Sequence, residues 1–146
     1  MTVKKIVEHK GSNVITLPMG RTVNHAIEIL IRHNIGALVV VDEKNKPVGI
    51  ISERDILREI HNRGDAIHET PVERVMSSEL IVGVLEDTLD YVRCTFTKNR
   101  IRHLPIIEGG NLVGIVSIGD VVKALIKEKD TENKYLRDFI MDKYPG

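Results

Sequence analysis

The chain has 146 residues, 42% of them hydrophobic and 29% charged, the composition of a globular protein built as one compact domain or two small halves. Its 21 Lys and Arg balance 21 Asp and Glu, which removes the bulk electrostatic case for nucleic acid or an anionic membrane as partner. With no Trp, three Tyr and two Phe a base-stacking platform is not expected, and the single Cys94 excludes an intrachain disulfide.

In chain order, MTVKKIVEHK holds no apolar run long enough for a secretory signal, so a cytoplasmic location is expected. A short β segment is expected around Val14 to Leu17. Val23, Ala26, Ile27, Leu30 and Ile31 then follow the spacing of one apolar helix face, with Thr22 placed to cap it. The run ALVVV, Ala37 to Val41, reads as a strand buried on both faces and is far too short to cross a membrane. After the turn DEKNKP, Val48 to Ile51 reads as a second strand antiparallel to the first. A helix follows with Ile56, Leu57 and Ile60 on one side, and the polar stretch NRGDAIHETP is a linker.

The same order then returns. A short β segment is expected around Leu80 to Val84, and Leu89, Val92 and Phe96 mark a helix on which Cys94 reads as a small core hydrophobe. His103 to Ile107 and Leu112 to Val116 are strands joined by EGGN, and Val121, Val122, Leu125 and Ile126 are expected to face inward from the last helix. The charged tail from Lys127 carries Tyr135, Leu136, Phe139 and Ile140 at helical spacing. It is expected to be an amphipathic helix packed on the body or on a partner. The methionines, Met1, Met19, Met76 and Met141, read as fillers, and His25, His33, His61 and His68 show no metal-site spacing.

Self-comparison makes the recurrence explicit. At an offset of 66, Thr22 falls on Thr88, Ile35 on Ile101 and Leu38 on Leu104. One residue is lost in the turn, and at 65 Val48, Gly49, Ile50, Ser52 and Asp55 fall on Val113, Gly114, Ile115, Ser117 and Asp120. The chain therefore divides into residues 1–62, a linker 63–71, residues 72–128 and a tail 129–146. A half of this size buries little apolar surface alone, so the two are expected to pack as one pseudo-twofold α+β unit with equivalent grooves between them.

The twice-written stretches GIISERD (Gly49–Asp55) and GIVSIGD (Gly114–Asp120) sit where a strand ends and a helix begins. One reading is a capping box, in which the Ser hydroxyl accepts from a free helix N–H and the Asp reaches back to the cap. The other is a ligand site. The edge presents helix N-termini with unpaired N–H groups. A hydroxyl at Ser52 or Ser117 can donate to a phosphate or ribose oxygen, and the Asp55 or Asp120 carboxylate can accept from both hydroxyls of a ribose diol. Such charge-assisted bonds contribute roughly 1.5–3 kcal/mol each.

These stretches, together with NIGALVVVD (Asn34–Asp42), VERVMS (Val72–Ser77) and RIRHLPIIEGGNLVGIVS (Arg100–Ser117), give the chain a strong resemblance to tandem CBS-domain proteins, the pair called a Bateman module. The resemblance covers about residues 1–127. It implies two β-α-β-β-α repeats packed as one pseudo-twofold module, here with a C-terminal amphipathic helix. It also implies adenosyl ligands in the two clefts, AMP first, with ADP, ATP, NAD or S-adenosylmethionine as the other candidates, and no obligatory cofactor. Carried over, one cleft would combine Ser52, Arg54 and Asp55 with Val82, Arg102, His103 and Pro105. The other would combine Ser117, Gly119 and Asp120 with Thr16, Ile35, Gly36 and Ala37. Arg102 and His103 align with Gly36 and Ala37, and Arg54 with Gly119, so the Asp55 cleft is expected to hold more cations for phosphate. Arg54 pairing with Glu53 or Glu59, and Arg102 and His103 as solvated strand-edge residues, are the alternatives.

No nucleophile set, Walker loop or metal-ligand cluster appears in the sequence. The expectation is a non-catalytic regulatory sensor that binds an adenine nucleotide, forms a homodimer and signals to an unidentified effector protein. The alternative is a ligand-free dimerisation or interaction module of the same family.

Overall fold

The computed structural model describes residues 1–11 and 14–143, with side chains through residue 140. Its elements are helix α1 (Val3–Lys10), strand β1 (Thr16–Pro18), α2 (Val23–His33), β2 (Ala37–Val41), β3 (Pro47–Ser52) and α3 (Glu53–Arg63). Two 3₁₀ turns, Gly64–Glu69 and Val72–Arg74, lead to α4 (Leu89–Asn99), β4 (His103–Glu108), β5 (Asn111–Ser117) and α5 (Ile118–Lys143).

The repeat is visible in the local chemistry. Thr22 Oγ1 accepts from the His25 N–H at 3.2 Å, and its counterpart Thr88 accepts from Tyr91 N–H at 3.1 Å. Both capped helices end on a left-handed residue, Asn34 (φ 52°) and Arg100 (φ 55°). β2 pairs antiparallel with β3, placing Leu38 opposite Ile51 and Val40 opposite Gly49. β4 pairs with β5 in the same way, Leu104 opposite Val116 and Ile106 opposite Gly114, and both ladders slip by one residue just after those glycines' partners.

β1 runs parallel to β2, with Thr16 opposite Val39. The counterpart expected at Leu80 to Val84 is not a strand. It contributes one parallel bridge, Gly83 to Ile106, because the Asp87 carboxylate turns the chain by accepting from Val84 N–H at 2.9 Å.

The main departure from the sequence reading is α1. The sequence division attaches residues 1–10 to the first half, yet Val3 and Ile6 are buried among Leu89, Val92, Phe96, Leu104, Ile106, Val116 and Val121 of the second. Val3 N–H donates to Asp87 C=O at 2.9 Å, and Thr2 bridges Thr88. The exchange is reciprocal. Ile67 of the linker and Val72 and Val75, which open the second half, sit in the first core with Leu17, Leu38 and Ile51, and Pro71 bridges Thr22.

Each repeated glycine lies under its borrowed segment. A Cβ at Gly49 would run into the Met76 thioether, and one at Gly114 would stand 3.0 Å from Val7 Cγ2. The glycines are thus the sites where a lead-in crosses close over a strand.

Several residues expected to face inward do not. Ile31 is 74% exposed and Leu57 70% exposed. Ile60, Val122 and Ile126 are exposed too, as is Cys94, which sits two residues along α4 from buried Val92 and so points away from the core. Ala26, Leu30, Ile56 and Val121 keep their buried places. The tail is helical, but as a continuation of α5 rather than a separate element, and residues 127–140 are all exposed. Its last three residues and the side chain of Met141 lie outside the described residues. No helix among the described residues is long and apolar enough to cross a membrane.

If α1 completes the second core, truncating Ile6 destabilises it from about 80 residues away in sequence. Ile6→Ala is expected to cost about 2–4 kcal/mol in urea unfolding and to speed amide exchange in β4 and β5 most. Unchanged stability would mean that α1 only rests on the surface.

Candidate functional site

Two clefts open where the halves meet, each at the carboxyl end of a strand that feeds a helix. The first, about 750 Å³, is lined by Ser52, Glu53, Arg54, Asp55 and Arg58 from the β3–α3 junction. Ser77, Glu79, Ile81, Arg100, Arg102, His103 and Pro105 complete its wall from the second half. The second, about 390 Å³, is lined by Ser117 and Asp120 from the β5–α5 junction and by Ile15, Ile35, Gly36 and Ala37. Val7, Lys10 and Gly11 close it from the α1 side, and His103 enters this wall as well.

Both junctions carry the capping geometry. Ser52 N–H donates to Asp55 Oδ2 at 2.9 Å while Asp55 N–H donates to Ser52 Oγ at 3.2 Å. Ser117 N–H donates to Asp120 Oδ2 at 2.9 Å, and Asp120 N–H to Ser117 Oγ at 3.1 Å. The first helical N–H is also used: Glu53 donates to Gly36 C=O at 3.0 Å and Ile118 to Arg102 C=O at 2.9 Å. The edge therefore offers fewer unpaired N–H groups than the sequence reading supposed. Among the described residues, Arg54 and Gly119 are the first-turn positions whose N–H has no acceptor at either junction.

The capping box consumes Oδ2 of each aspartate and leaves Oδ1. Among the described residues, Asp55 Oδ1 meets the Arg58 guanidinium, at 3.9 Å. Asp120 differs. Its Oδ2 also takes the Lys10 ammonium at 2.8 Å, and Lys10 donates to Ile115 C=O at the same distance. Burial pushes the Asp120 carboxyl up, but the Lys10 hydrogen bond, the Ser117 backbone N–H and the Lys10 charge outweigh it, and the net value lies below the usual carboxylate range.

The cation distribution is as uneven as expected, with two revisions. The first cleft gathers Arg54, Arg58, Arg100 and Arg102. The second is not lined by small residues alone, because α1 delivers Lys10. His103 is shared by both walls rather than confined to the first: its Nε2 would stand 3.1 Å from a Cβ at Gly36, with Glu53 Oε1 at the same distance. Burial holds the imidazole below its usual pKa, opposed by Glu53 and Asp120 and assisted by Lys10 and Arg102. That direction favours the uncharged ring, a hydrogen-bond donor or acceptor, over a cation for phosphate.

Of the other candidates, Ser52, Arg54, Asp55, Arg102 and Pro105 share one wall, Ile35, Ala37, Ser117 and Asp120 the other, and Gly36 lines both. Val82, Thr16 and Gly119 stand outside both. Ile81 takes the place expected of Val82, and Ile15 that of Thr16, one residue along in each case. Arg58 was legible as an Asp-x-x-Arg pair on one helix face. Lys10 was not, since nothing local in MTVKKIVEHK points to an aspartate 110 residues away. Among the described residues no group of three or more His, Cys, Asp or Glu side chains is placed to hold a metal.

A duplicated α+β unit with paired Ser–Asp junctions flanking two clefts defines a two-repeat module, and the sequence model of the CBS domain matches it twice, over residues 3–62 and 72–127. The chain belongs to the CBS-domain family, as a tandem pair. It is 36% identical to the mitochondrial CBS domain-containing protein CBSX3 of Arabidopsis thaliana over 98% of this chain and 73% of that one. Among solved structures it is similar to the CBS-domain protein ATU1752 of Agrobacterium tumefaciens, at 36% identity and TM-score 0.82, covering 84% of this chain and 92% of that chain. It is also similar to the CBS domain pair of protein MJ0100, solved in complex with 5′-methylthioadenosine and S-adenosyl-L-methionine, at 28% identity and TM-score 0.76, covering 88% of this chain and 98% of that chain.

The depressed His103 pKa has a sign. The unfolded chain binds a proton near the usual 6.5 that the folded chain binds only at lower pH. Stability is therefore fully present above about 6.5 and falls as pH drops through the folded value. His103→Gln is expected to flatten the fall in unfolding free energy between neutral pH and about 5. An NMR titration placing His103 at or above its usual pKa would contradict the half-buried, desolvated ring.

Proposed function

We propose that this chain is a non-catalytic regulatory module whose two clefts bind adenosyl ligands, AMP first among them, and that occupancy is signalled to an effector protein. One observation carries the reading: both aspartates satisfy their helix cap with Oδ2, which leaves Oδ1 outside the cap on a residue that lines a cleft. A capping box alone needs neither a second oxygen nor a cleft around it.

In the first cleft, Asp55 accepts from the ribose hydroxyls, Ser52 lies beside ribose and phosphate, and Arg54 and Arg102 meet phosphate, with His103 and Pro105 on the adenine side. In the second, Ser117 and Asp120 take the equivalent roles against Ile35, Gly36 and Ala37, and Gly119, beside the wall and not on it, has a backbone N–H that, like that of Arg54, the helix leaves over. Val82 and Thr16 act through the neighbours that form the walls. The ligand complex of the MJ0100 pair supports an adenosyl ligand here, and the arginines of the first cleft favour one that carries phosphate. ADP, ATP, NAD and S-adenosylmethionine are the competing ligands. Residues 1–62 and 72–128 are the two repeats, 63–71 the linker and 129–146 the helical tail, in a protein of the cytoplasm.

A second property rests on the exposed apolar helix residues. Ile31, Leu57 and Ile60 form such a face on α2 and α3, and Tyr91, Val122 and Ile126 another on α4 and α5. An apolar groove of about 350 Å³ runs between α2 and α3, lined by Ile27, Leu30, Ile31, Ile56, Leu57 and Ile60. Repeated faces of this kind suit a homodimer packed through its helices, which also serves the alternative function of a ligand-free interaction module.

Calorimetry with AMP, ADP, ATP, NAD and S-adenosylmethionine tests the main reading. Asp55→Asn keeps an acceptor for the Ser52 N–H but replaces the ribose acceptor with a donor. It is expected to weaken binding in its cleft by roughly ten- to a hundredfold with little change in unfolding midpoint. If no adenosyl compound binds the wild-type protein, the ligand-free module stands instead. Sedimentation reads the dimer: Leu57→Glu combined with Val122→Glu is expected to yield monomers, and an unchanged mass would move the interface elsewhere.

A further inference from the structure

The feature that the ribose-binding scheme leaves unexplained is Lys10. It closes α1, the helix lent to the second half, and its ammonium bonds to Asp120 Oδ2 and Ile115 C=O at 2.8 Å each. Nothing equivalent stands at Asp55, whose closest cation is Arg58 at 3.9 Å from its own helix. Lys10 and Asp120 both line the second cleft, so the pair is formed inside the space a ligand would enter. The ammonium is not locked away. Its side chain is 44% exposed against 22% for Asp120, and lysine offers three donors on a flexible stem.

We infer that Lys10 is the specificity-determining residue of the second cleft, a counter-ion that a phosphorylated ribonucleoside exchanges and an unphosphorylated one does not. The inference rests on the adenosyl reading above and says which adenosyl compounds the cleft accepts. On entry one ribose hydroxyl donates to Asp120 Oδ1 and the other to Oδ2, the oxygen that holds the Ser117 N–H and the ammonium. The ammonium then leaves Asp120 for the ligand phosphate and keeps Ile115 C=O as its pivot. A charged pair is replaced by a charged pair, so little is lost. A nucleoside without phosphate offers the ammonium no anion. Either it competes with Lys10 for Asp120, or it leaves Lys10 with a carbonyl as its only partner, and its affinity falls in both cases.

The test uses the full chain with Asp55→Asn in every protein, so that the Asp120 cleft is read by itself. Calorimetry measures AMP and adenosine on this background, with Lys10→Met and with Lys10→Arg, and thermal unfolding without ligand confirms that each variant is folded. With Lys10 in place AMP is expected to bind roughly tenfold or more tighter than adenosine. Lys10→Met is expected to bring the ratio near one from both sides, AMP weakening and adenosine tightening as Asp120 loses its competitor, and Lys10→Arg to restore the preference. An AMP-to-adenosine ratio unmoved by Lys10→Met overturns the inference while the adenosyl cleft survives. So does a weakened AMP with unchanged adenosine, which would make Lys10 a phosphate contact that never released Asp120. Failure of both compounds to bind any of the proteins overturns the adenosyl reading of the Asp120 cleft, and this inference with it, while the wild-type calorimetry above still reads the Asp55 cleft.

Discussion

Twice in this chain a strand runs straight into a helix with no loop between them, at Ser52–Glu53 and at Ser117–Ile118. Such a junction exposes the first N–H groups of the helix with no residues to spare for covering them. The Ser-x-x-Asp pair answers this with two side chains, and the carbonyls of Gly36 and Arg102 take the next donor. The solution is frugal in a way that matters for function. An aspartate has two oxygens and the cap needs one, so the group that holds the junction together also presents a carboxylate edge to the cleft. The capping reading and the binding reading of the motif are therefore compatible, and the structural role fixes the position and rotamer on which a ligand contact would depend.

The clefts exist because neither half is complete. A repeat of some 60 residues has too little apolar surface for a comfortable core, and the shortfall is met by exchange. The second half takes Val3 and Ile6 from α1, and the first takes Ile67, Val72 and Val75 from beyond its own end. Gly49 and Gly114 stay small so that Met76 and Val7 can pass over them. The exchange fixes the two sheets relative to each other and brings the ends of the lent segments, Lys10 on one side and Ser77 and Glu79 on the other, to the cleft walls.

The repeat, the strands, the capped helices and the Ser–Asp junctions were legible because each is written in local chemistry: a cap three residues before its acceptor's partner, a period of two or 3.6, a motif restated at an offset of 65. What was illegible depended on a surface elsewhere in the chain. Ile31, Leu57, Ile60, Val122 and Ile126 have the spacing of a core face, but a face is buried only where something covers it, and periodicity does not say what does. Cys94 was misplaced for a simpler reason, since a position two residues from Val92 falls on the far side of the helix. The segment Leu80 to Val84 had strand composition without a strand's pairing. In α1, Val3, Ile6 and Val7 do stand at helical spacing, but eight residues with three lysines and a glutamate make a weak signal, and the helix is held by a core that begins some 80 residues later.

The inequality of the clefts follows from packing near the line where the halves meet. Gly36 and Ala37 correspond by sequence to Arg102 and His103, and in space the His103 ring lies against Gly36. Even a single carbon on residue 36 would crowd that ring, so a side chain of any size there would displace His103. Residue 36 of one half and residue 103 of the other, brought face to face, cannot both be large, and the conflict is resolved by a glycine at 36 opposite the imidazole at 103. Once that choice is made the charge follows. The copy that kept its side chains gives Arg102 to the first cleft, the copy that gave them up leaves the second cleft narrower and without an arginine, and the cation it does have arrives from α1. Divergence between the repeats is in this sense a steric consequence of packing one half against the other, and it hands the two clefts different chemistry on a shared scaffold.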